Sequence, residues 1–178
     1  MAKLLANFYE LECHLFRSVN KHFERKYVNM FFRNITHVGG ATSTISILVL
    51  LILFSTYSLK LTAIAAGISL ALSHIPVAIA KKLYPRRRPY LALQEIKVAA
   101  NPLKDHSFPS GHTTAIFSSI IPFILFMPAL TLFFLPLAIC VGVSRIYLGL
   151  HYPSDVAVGM ILGSSVGVLS YHLVHLFG

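Results

Sequence analysis

Charged side chains are scarce in this chain and unevenly placed. Asp, Glu, Lys and Arg make up 12% of the 178 residues, whereas soluble globular proteins carry roughly a quarter. From residue 106 to residue 178 the only such side chains are Arg145 and Asp155. This composition leaves too little polar surface to cover the apolar segments, which argues against a soluble helical protein with very hydrophobic core helices.

Cysteines and carboxylates are also few. Cys13 and Cys140 are the two cysteines; their separation gives neither a disulfide framework nor a metal-ligand spacing, so we interpret both as packing residues. Six acidic residues stand against fifteen basic ones, for a net charge of +9. A basic surface suits nucleic acid, anionic lipid or an anionic substrate. In a membrane protein we expect the last two and no nucleic-acid partner.

Long apolar runs are what the chain has instead. An α-helix needs about twenty residues to cross the hydrocarbon layer, and the shorter runs can borrow flanking apolar residues. The pattern predicts an all-α, multi-pass transmembrane bundle with about five spans, the first two separated at Leu59 and Lys60. The five runs cover residues 43–58, 61–80, 113–128, 129–148 and 156–177.

The N-terminal segment has a different character. Residues 3–26 place apolar side chains at helical spacing, without the continuous apolar core of a cleavable signal. We expect an amphipathic helix that lies in the membrane interface or caps the bundle, with a break at Gly39-Gly40. The predicted division is residues 1–40, the helix and connector, and residues 41–178, the membrane domain. The apolar positions are Leu4, Phe8, Leu11, Leu15, Val19 and Phe23.

Only one connection between the predicted spans is long, the segment 81–111. Both of its ends must lie on the same face of the membrane, and the next two spans cross and return to that face. The count of spans therefore brings three polar segments together: Lys81–Pro89, Ser107–His112 and Ser144–Asp155. An ionisable group at membrane depth is by default part of a functional site.

The first two segments can bind an anion. The first is rich in cations, including Lys81 and Arg88, although such residues also occur as headgroup-level side chains at span ends. In the second, Ser110 is a favourable helix N-cap and Gly111 leaves the backbone N–H groups accessible, which suits an anion. His112 falls in the first helical turn, where the alternative is an interfacial histidine without a role.

The third segment carries the sharpest pattern. Pro153 favours a helix start, so that His151 lies just before the last helix and Asp155 in its first turn. An Asp there can hold one imidazole nitrogen and leave the other as a free lone pair. Arg145 offers a planar guanidinium group for phosphate oxygens. The alternative is a structural Arg145–Asp155 ion pair that closes the bundle, with His151 as a bystander.

Together the segments contain what phosphoryl transfer through a phosphohistidine requires: cations, a nucleophilic imidazole and a second imidazole for proton transfer. Their only carboxylates are Asp105 and Asp155, whereas a phosphate-handling metal favours clustered oxygen ligands. We therefore expect no metal and no cofactor, with Lys and Arg neutralising the charge.

Three motifs in order carry a family resemblance: Lys81-x6-Arg88-Pro89, then Pro109-Ser110-Gly111-His112, then Ser144-Arg145-x5-His151-x3-Asp155. Together they resemble the signature of the type-2 phosphatidic acid phosphatase superfamily, over roughly residues 40–178. The resemblance implies a metal-independent enzyme in which His151 is the nucleophile, Asp155 orients it and His112 protonates the leaving oxygen. The implied phosphate-binding residues are Lys81, Arg88, Ser110, Gly111 and Arg145.

The resemblance implies a lipid phosphatase or diphosphatase of the cell membrane, acting on undecaprenyl diphosphate, phosphatidylglycerol phosphate or phosphatidate. We favour undecaprenyl diphosphate. A haloperoxidase is the second hypothesis for an enzyme, and the embedding of the chain in a membrane argues against it. A non-catalytic binder or transporter of phosphorylated lipids is the other alternative; such a protein needs cations but no nucleophile. The sequence does not specify an oligomeric state.

Two features make opposite predictions about the side of the membrane on which the site lies. All Lys and Arg residues except Lys60 fall on the face of the site or in the N-terminal segment joined to it, and the positive-inside rule would place that face in the cytoplasm. Several of these cations are required by the chemistry, however. Because the family resemblance favours the extracytoplasmic face, we expect the site there.

Overall fold

The computed structural model describes residues 2–100 and 102–177, and in these ranges every regular element is a helix. This confirms the prediction of an all-α fold. The α-helices are α1 (Ala2–Asn20), α2 (Lys26–Ile35), α3 (Ala41–Phe54), α4 (Tyr57–Leu83), α5 (Pro89–Ala92), α6 (Gly111–Phe126), α7 (Thr131–Tyr147) and α8 (Pro153–Phe177), with 3₁₀ turns at Thr36–Gly39 and Pro128–Leu130.

Three helical segments are long and apolar enough to cross a membrane alone: Tyr57–Leu83, Pro128–Tyr147 and Pro153–Phe177. A fourth crossing is formed if Lys26–Gly39 and Ala41–Phe54, which meet at an angle of 53°, act as one bent span. Helix α6 is apolar but has only 16 residues. The multi-pass character is thus confirmed, whereas by length and composition the described residues give three or four spans rather than the predicted five.

Two boundaries differ from the prediction. The break between the first two apolar runs falls at Ser55-Thr56 and not at Leu59 and Lys60, because Thr56 already has the extended backbone of a helix N-cap position. The N-terminal amphipathic helix ends at Asn20 and is followed by the separate helix α2, which the sequence pattern did not indicate. The break at Gly39-Gly40 is confirmed, since α3 begins at Ala41.

Glycines spaced four residues apart bring α8 against α6. A Cβ atom at Gly159 would lie 2.8 Å from the carbonyl oxygen of Ser110, and one at Gly163 would lie 2.5 Å from that of Thr114. A side chain at either position would therefore push the helices apart. Small residues at this spacing allow the backbones of membrane helices to approach closely. As a result, the N-terminus of α6 is held beside the first turns of α8.

Helix α1 packs against α7 and α8 through a face that includes polar residues. Phe16 is fully buried, and Glu12, Cys13 and Asn20 are nearly so. The predicted apolar stripe points outward instead: Leu4, Phe8, Leu11 and Leu15 are all about half exposed or more. This arrangement suits a helix that lies in the membrane interface, with its leucines towards lipid. The division of the chain at residue 40 remains a prediction.

Candidate active site

The three polar segments meet as predicted. The backbone N–H of Ser107 donates to the Arg86 carbonyl at 3.0 Å, and that of Ser110 donates to the Asp155 carbonyl at 3.0 Å. Arg88 in turn reaches His151, with 3.1 Å between Nη1 and Nε2. The long connection and the α7–α8 turn therefore form one site on one face of the bundle.

The turn between α7 and α8 fixes the position of His151. The N–H groups of Leu150 and His151 both donate to the carbonyl of Arg145, at 3.1 and 3.2 Å. Gly149 has φ = +79°, a backbone conformation that a residue with a side chain adopts only at a cost. Helix α8 then starts at Pro153 as predicted, and Oδ2 of Asp155 accepts from the Tyr152 N–H at 2.8 Å.

His151 is buried, with 1% of its surface exposed. Because a guanidinium group can only donate, the Arg88 contact identifies Nε2 as the atom with the lone pair and leaves the proton on Nδ1. Nδ1 faces Oδ2 of Asp155 at 3.5 Å. Burial, reinforced by the nearby charges of Arg145 and Arg88, lowers the pKa of His151 to about 4 against the opposing effect of Asp155. The ring is therefore neutral at physiological pH.

Arg88 is 1% exposed and its donors are directed by backbone oxygens. Nε donates to the Asp105 carbonyl and Nη1 to the Leu150 carbonyl, both at 2.8 Å. The Asp105 carboxylate pairs with Arg88 at 2.6 Å and also with Lys81. Burial alone would raise the pKa of Asp105, but the hydrogen bonds from Lys81 and Arg88 lower it to about 2. A single carboxylate thus pairs with two of the predicted phosphate-binding cations and offsets part of their charge.

Arg145 is 3% exposed and only partly paired. Its Nη1 atom donates to Oγ1 of Thr36 at 2.7 Å. Its Nε and Nη2 atoms are buried and have no hydrogen-bond partner among the residues that the structure describes. Unpaired buried donors are costly and therefore uncommon. These two donors are available to an anion.

The start of α6 agrees with the predicted anion site in part. Ser110 is the N-cap residue, but its side chain makes no capping hydrogen bond; its Oγ atom accepts from Oγ1 of Thr113 at 2.9 Å. A Cβ atom placed on Gly111 would meet nothing within 4 Å, so there is open space beside the first turn. His112 follows at the edge of that space.

Two cavities meet at His112. One has a volume of about 330 Å³ and a polar wall that includes Arg33, His37 and Arg145. The other, of about 470 Å³, lies between α3, α4 and α6 and is mostly apolar, with Leu48 and Leu70 in its wall. His112 borders both. The apolar cavity could not be located from the sequence pattern, because its wall combines side chains from three separate helices.

The observed ion pairs differ from the structural Arg145–Asp155 ion pair that was the alternative interpretation of the third segment. Arg145 is held by Thr36, while Asp155 pairs with Arg86 at 3.0 Å. Arg86 also pairs with Glu12 of α1. Sequence reasoning overlooked Glu12, Arg86 and Asp105 as parts of the site. For Glu12 and Asp105 the signal was the scarcity of acidic residues, which makes each carboxylate worth examining; Arg86 was one of several cations in the first polar segment.

Comparison with known families identifies the architecture. A model described as "PAP2 superfamily" matches residues 62–178. The chain belongs to this superfamily. The match begins within α4 and includes all eight predicted site residues, which are Lys81, Arg88, Ser110, Gly111, His112, Arg145, His151 and Asp155.

Individual relatives are similar over part of their length. The chain is 36% identical over 104 residues to "Bacitracin transport permease protein BcrC" of Bacillus licheniformis, covering 58% of this chain and 51% of that protein. It is 36% identical over 108 residues to "Decaprenylphosphoryl-5-phosphoribose phosphatase" of Mycobacterium tuberculosis, covering 60% and 58%. The matches thus span little more than half the length of these relatives.

The fold is that of a solved membrane member of the superfamily. The crystal structure of a transmembrane PAP2-type phosphatidylglycerolphosphate phosphatase from Bacillus subtilis superimposes with a TM-score of 0.76. The alignment covers 97% of this chain and 88% of that one, at 21% sequence identity. At this identity the likeness establishes the fold. Independently of this likeness, three helices among the described residues are long and apolar enough to cross a membrane.

Proposed function

We propose that the chain is an integral-membrane lipid phosphatase that hydrolyses a phosphate monoester or diphosphate on a lipid through a phosphohistidine at His151. The observation that carries this proposal is the setting of the imidazole. Its Nε2 atom has a lone pair and contacts Arg88, its Nδ1 atom faces Asp155, and Arg145 has two buried donors without a partner among the described residues. A simple phosphate binder would need the cations but not the oriented imidazole.

In the first step, Nε2 of His151 attacks phosphorus and the bond from phosphorus to the leaving oxygen breaks. The bonding electron pair goes to that oxygen, which takes a proton from His112. Burial and the charge of Arg145 lower the pKa of His112 to about 3, and the negative charge of the bound phosphoryl group opposes this by stabilising the protonated ring. Asp155 stabilises the positive charge that develops on the imidazole ring, because Nδ1 keeps its proton towards Oδ2. Arg88 must turn its Nη1 atom from Nε2 to a phosphoryl oxygen as substrate enters.

In the second step, water attacks the phosphorus of phosphohistidine and the P–N bond breaks, returning the electron pair to Nε2. His112, now neutral, takes a proton from the attacking water and is restored as the acid. Inorganic phosphate leaves. Proton transfer of this kind contributes a factor of roughly 10²–10⁴.

The charge of the phosphoryl group is met by fixed cations in this proposal. Preorganised donors in a site shielded from water stabilise developing charge strongly. Arg88 and Arg145 are buried, and Lys81 lies at the rim, with 20% of its side chain exposed. The open space beside Gly111 lies at the N-terminus of α6, where backbone N–H groups attract an anion. These groups support a reaction that needs neither a metal nor another cofactor.

The apolar cavity supports a lipid as the leaving group. It reaches His112, the proposed donor of a proton to the leaving oxygen, so a chain attached to that oxygen can lie between α3, α4 and α6. The Mycobacterium tuberculosis relative is named as a phosphatase of a decaprenylphosphoryl compound. We therefore propose undecaprenyl diphosphate as the first substrate to test, ahead of phosphatidylglycerol phosphate and phosphatidate. The proposed location is the cell membrane, with the site on its extracytoplasmic face.

A non-catalytic binder or transporter of phosphorylated lipids is the second candidate. The observation in its favour is that the Bacillus licheniformis relative is named as a transport permease. The two candidates differ in their need for His151, because a binder or transporter makes no covalent bond to it.

The test is phosphate release by the purified full-length protein in mixed micelles. Undecaprenyl diphosphate, phosphatidylglycerol phosphate and phosphatidate are compared with and without EDTA, and His151→Ala is the control. We expect release that survives EDTA and disappears in His151→Ala. A wild-type protein that binds these lipids but releases no phosphate would support the transporter, and activity abolished by EDTA and restored by Mg²⁺ would refute the metal-free mechanism.

A further inference from the structure

Helix α1 lies outside the residues that the family model matches, yet it places a carboxylate at the site. Glu12 is 4% exposed, which is unusual for a glutamate unless it is paired. The helix carries a second acid, Glu10, that is exposed. This contrast within one turn raises the question of what Glu12 binds.

Both carboxylate oxygens of Glu12 are used. Oε1 forms an ion pair with Nη2 of Arg86. Oε2 accepts hydrogen bonds from the backbone N–H of Ser154, at 3.0 Å, and from its hydroxyl group. Ser154 lies in the first turn of α8, where a negative charge stabilises the helix. Glu12 therefore ties α1 to the same helical turn that carries Asp155.

Arg86 connects Glu12 to Asp155. Its Nη1 atom donates to Oδ1 of Asp155 at 3.0 Å and to Oγ of Ser154 at 2.8 Å. The guanidinium group also lies 3.9 Å from the centre of the Tyr152 ring. Burial alone would lower the pKa of Arg86, but Glu12 and Asp155 raise it, so the group is a permanent cation.

The two carboxylate oxygens of Asp155 therefore have different partners. Oδ1 is held by Arg86, and Oδ2 accepts from the Tyr152 N–H and faces Nδ1 of His151. The carboxylate plane, and with it the direction of Oδ2, is set by Arg86 on one side and by the backbone on the other.

The charges explain why a second carboxylate is needed. Arg86 alone would neutralise Asp155, which would then stabilise the developing imidazolium ion poorly. With Glu12 present, the three side chains carry a net charge of −1, and the negative charge next to His151 is preserved. All three charges are at least partly withdrawn from water, where such interactions are strongest.

We propose that Glu12 and Arg86 are positioning residues that act on His151 through Asp155. This proposal rests on the proposed phosphatase function. It also assigns a role in the reaction to α1: the helix supplies the far end of a chain of contacts, Glu12–Arg86–Asp155–His151, that orients and charges the nucleophile.

The test uses two pairs of variants of the purified protein. Glu12→Gln is compared with its control Glu10→Gln. Arg86→Gln is compared with its control Arg87→Gln, since Arg87 is exposed. We expect kcat of Glu12→Gln to fall about tenfold to a hundredfold, the usual effect of losing a partner of an active group. KM should stay unchanged, because Glu12 touches none of the phosphate-binding groups. The control variants should match the wild type.

The double variant Glu12→Gln/Asp155→Asn distinguishes this role from a general effect on folding. In an Asp155→Asn background, Glu12→Gln should reduce kcat less than twofold, because its effect runs through the Asp155 charge. An equal loss in both backgrounds, or a Glu12→Gln enzyme as active as Glu10→Gln, would overturn the proposal. Should Glu12→Gln prove too unstable to assay, the same comparison is made with Arg86→Gln: its loss of kcat should also shrink to less than twofold in the Asp155→Asn background, and an equal loss in both backgrounds overturns the proposal. A wild-type protein without phosphatase activity would refute the proposed function itself.

Discussion

The guanidinium group of Arg88 and the imidazole ring of His151 are in direct contact, with 3.1 Å between Nη1 and Nε2. The donor that should bind the phosphoryl group thus rests on the atom that should attack it. This contact requires a neutral ring with its lone pair on Nε2. The site therefore presents the proposed nucleophile in the protonation state and tautomer that attack would require.

This relationship predicts the pH dependence of activity. Since burial and the neighbouring cations lower the pKa of His151 to about 4, the ring gains a proton, and the enzyme loses activity, only as the pH falls through about 4. We therefore expect kcat/KM to fall on the acid side at about pH 4. Because the substrate also ionises, the pH profile is measured for both a monoester and a diphosphate, and the contribution of substrate ionisation is subtracted. Activity must return on transfer to pH 7.

The variant Asp155→Asn tests the cause of the acid limb of kcat/KM. Asp155 opposes the lowering of the His151 pKa, so Asp155→Asn should move the limb to still lower pH while reducing kcat. An acid limb near 6.5 for both substrates, the ordinary pKa of histidine, would contradict the burial argument.

The Asp105 carboxylate predicts a second effect, on anion binding. It pairs with Lys81 and Arg88 and must be displaced when a phosphoryl group arrives. In Asp105→Asn, Arg88 keeps its two backbone hydrogen bonds and remains in place. Because half of the Asp105 side chain is exposed, the pairing is weak, and we expect vanadate to inhibit about two- to fivefold more tightly.

The measurement is the inhibition constant of vanadate, which mimics the five-coordinate transition state. Glu95→Gln serves as the control, since Glu95 is exposed in the same connection. Weaker inhibition of Asp105→Asn than of the control would show that Asp105 positions the cations instead of competing for them.

The apolar cavity predicts how lipid tails are accommodated. Gly67 lines it, and a Cβ atom there would meet nothing within 4 Å. Gly67→Leu should fill the cavity without a clash and should not weaken α4, since Leu favours helices more than Gly does. We expect kcat/KM for undecaprenyl diphosphate to fall several-fold in mixed micelles, while hydrolysis of p-nitrophenyl phosphate is unchanged.

Gly67→Ala is the matched control and should behave like the wild type. Tail length alone should matter modestly, because a tail that leaves the bilayer for a protein cavity gains little free energy. Equal losses for the lipid and the soluble ester would mean that the cavity does not hold the tail.

The side of the membrane is predicted by cysteine labelling. Gln94 is exposed in the long connection, and the two native cysteines can be removed as Cys13→Ser and Cys140→Ser. We expect Gln94→Cys to react with a membrane-impermeant thiol reagent in intact cells. Lys60→Cys, at the opposite end of α4, is the control and should react only after permeabilisation. The reverse pattern would place the site in the cytoplasm, as the distribution of Lys and Arg suggests.

The sequence indicated the meeting of the three motifs because alternation of spans fixes which ends share a face. The family resemblance pointed to Arg88, but the local pattern could not show that Arg86 of the same run also reaches the site. The structure buries Arg88, directs Arg86 towards Asp155 and leaves Arg87 exposed. That choice depends on backbone oxygens and carboxylates contributed by distant segments, which no local pattern records.

The role of α1 was hidden for a similar reason. Its spacing of apolar residues indicated a helix, but the face that packs on the bundle carries Glu12 and Asn20, while the leucines point outward. In a membrane protein, an apolar stripe can face lipid as well as protein, so hydrophobicity alone does not identify the inner face.

The position of His112 between a cavity with basic side chains in its wall and an apolar cavity has a consequence for the proposed hydrolysis of a lipid phosphate. In that proposal the cleaved bond lies where the two cavities meet, so its two fragments separate by partition. Phosphate disperses into the aqueous volume, whereas the dephosphorylated lipid stays dissolved in the bilayer. The reverse reaction then requires two species from different phases to meet again. The lipid product is delivered directly to any enzyme that draws its substrate from the same membrane.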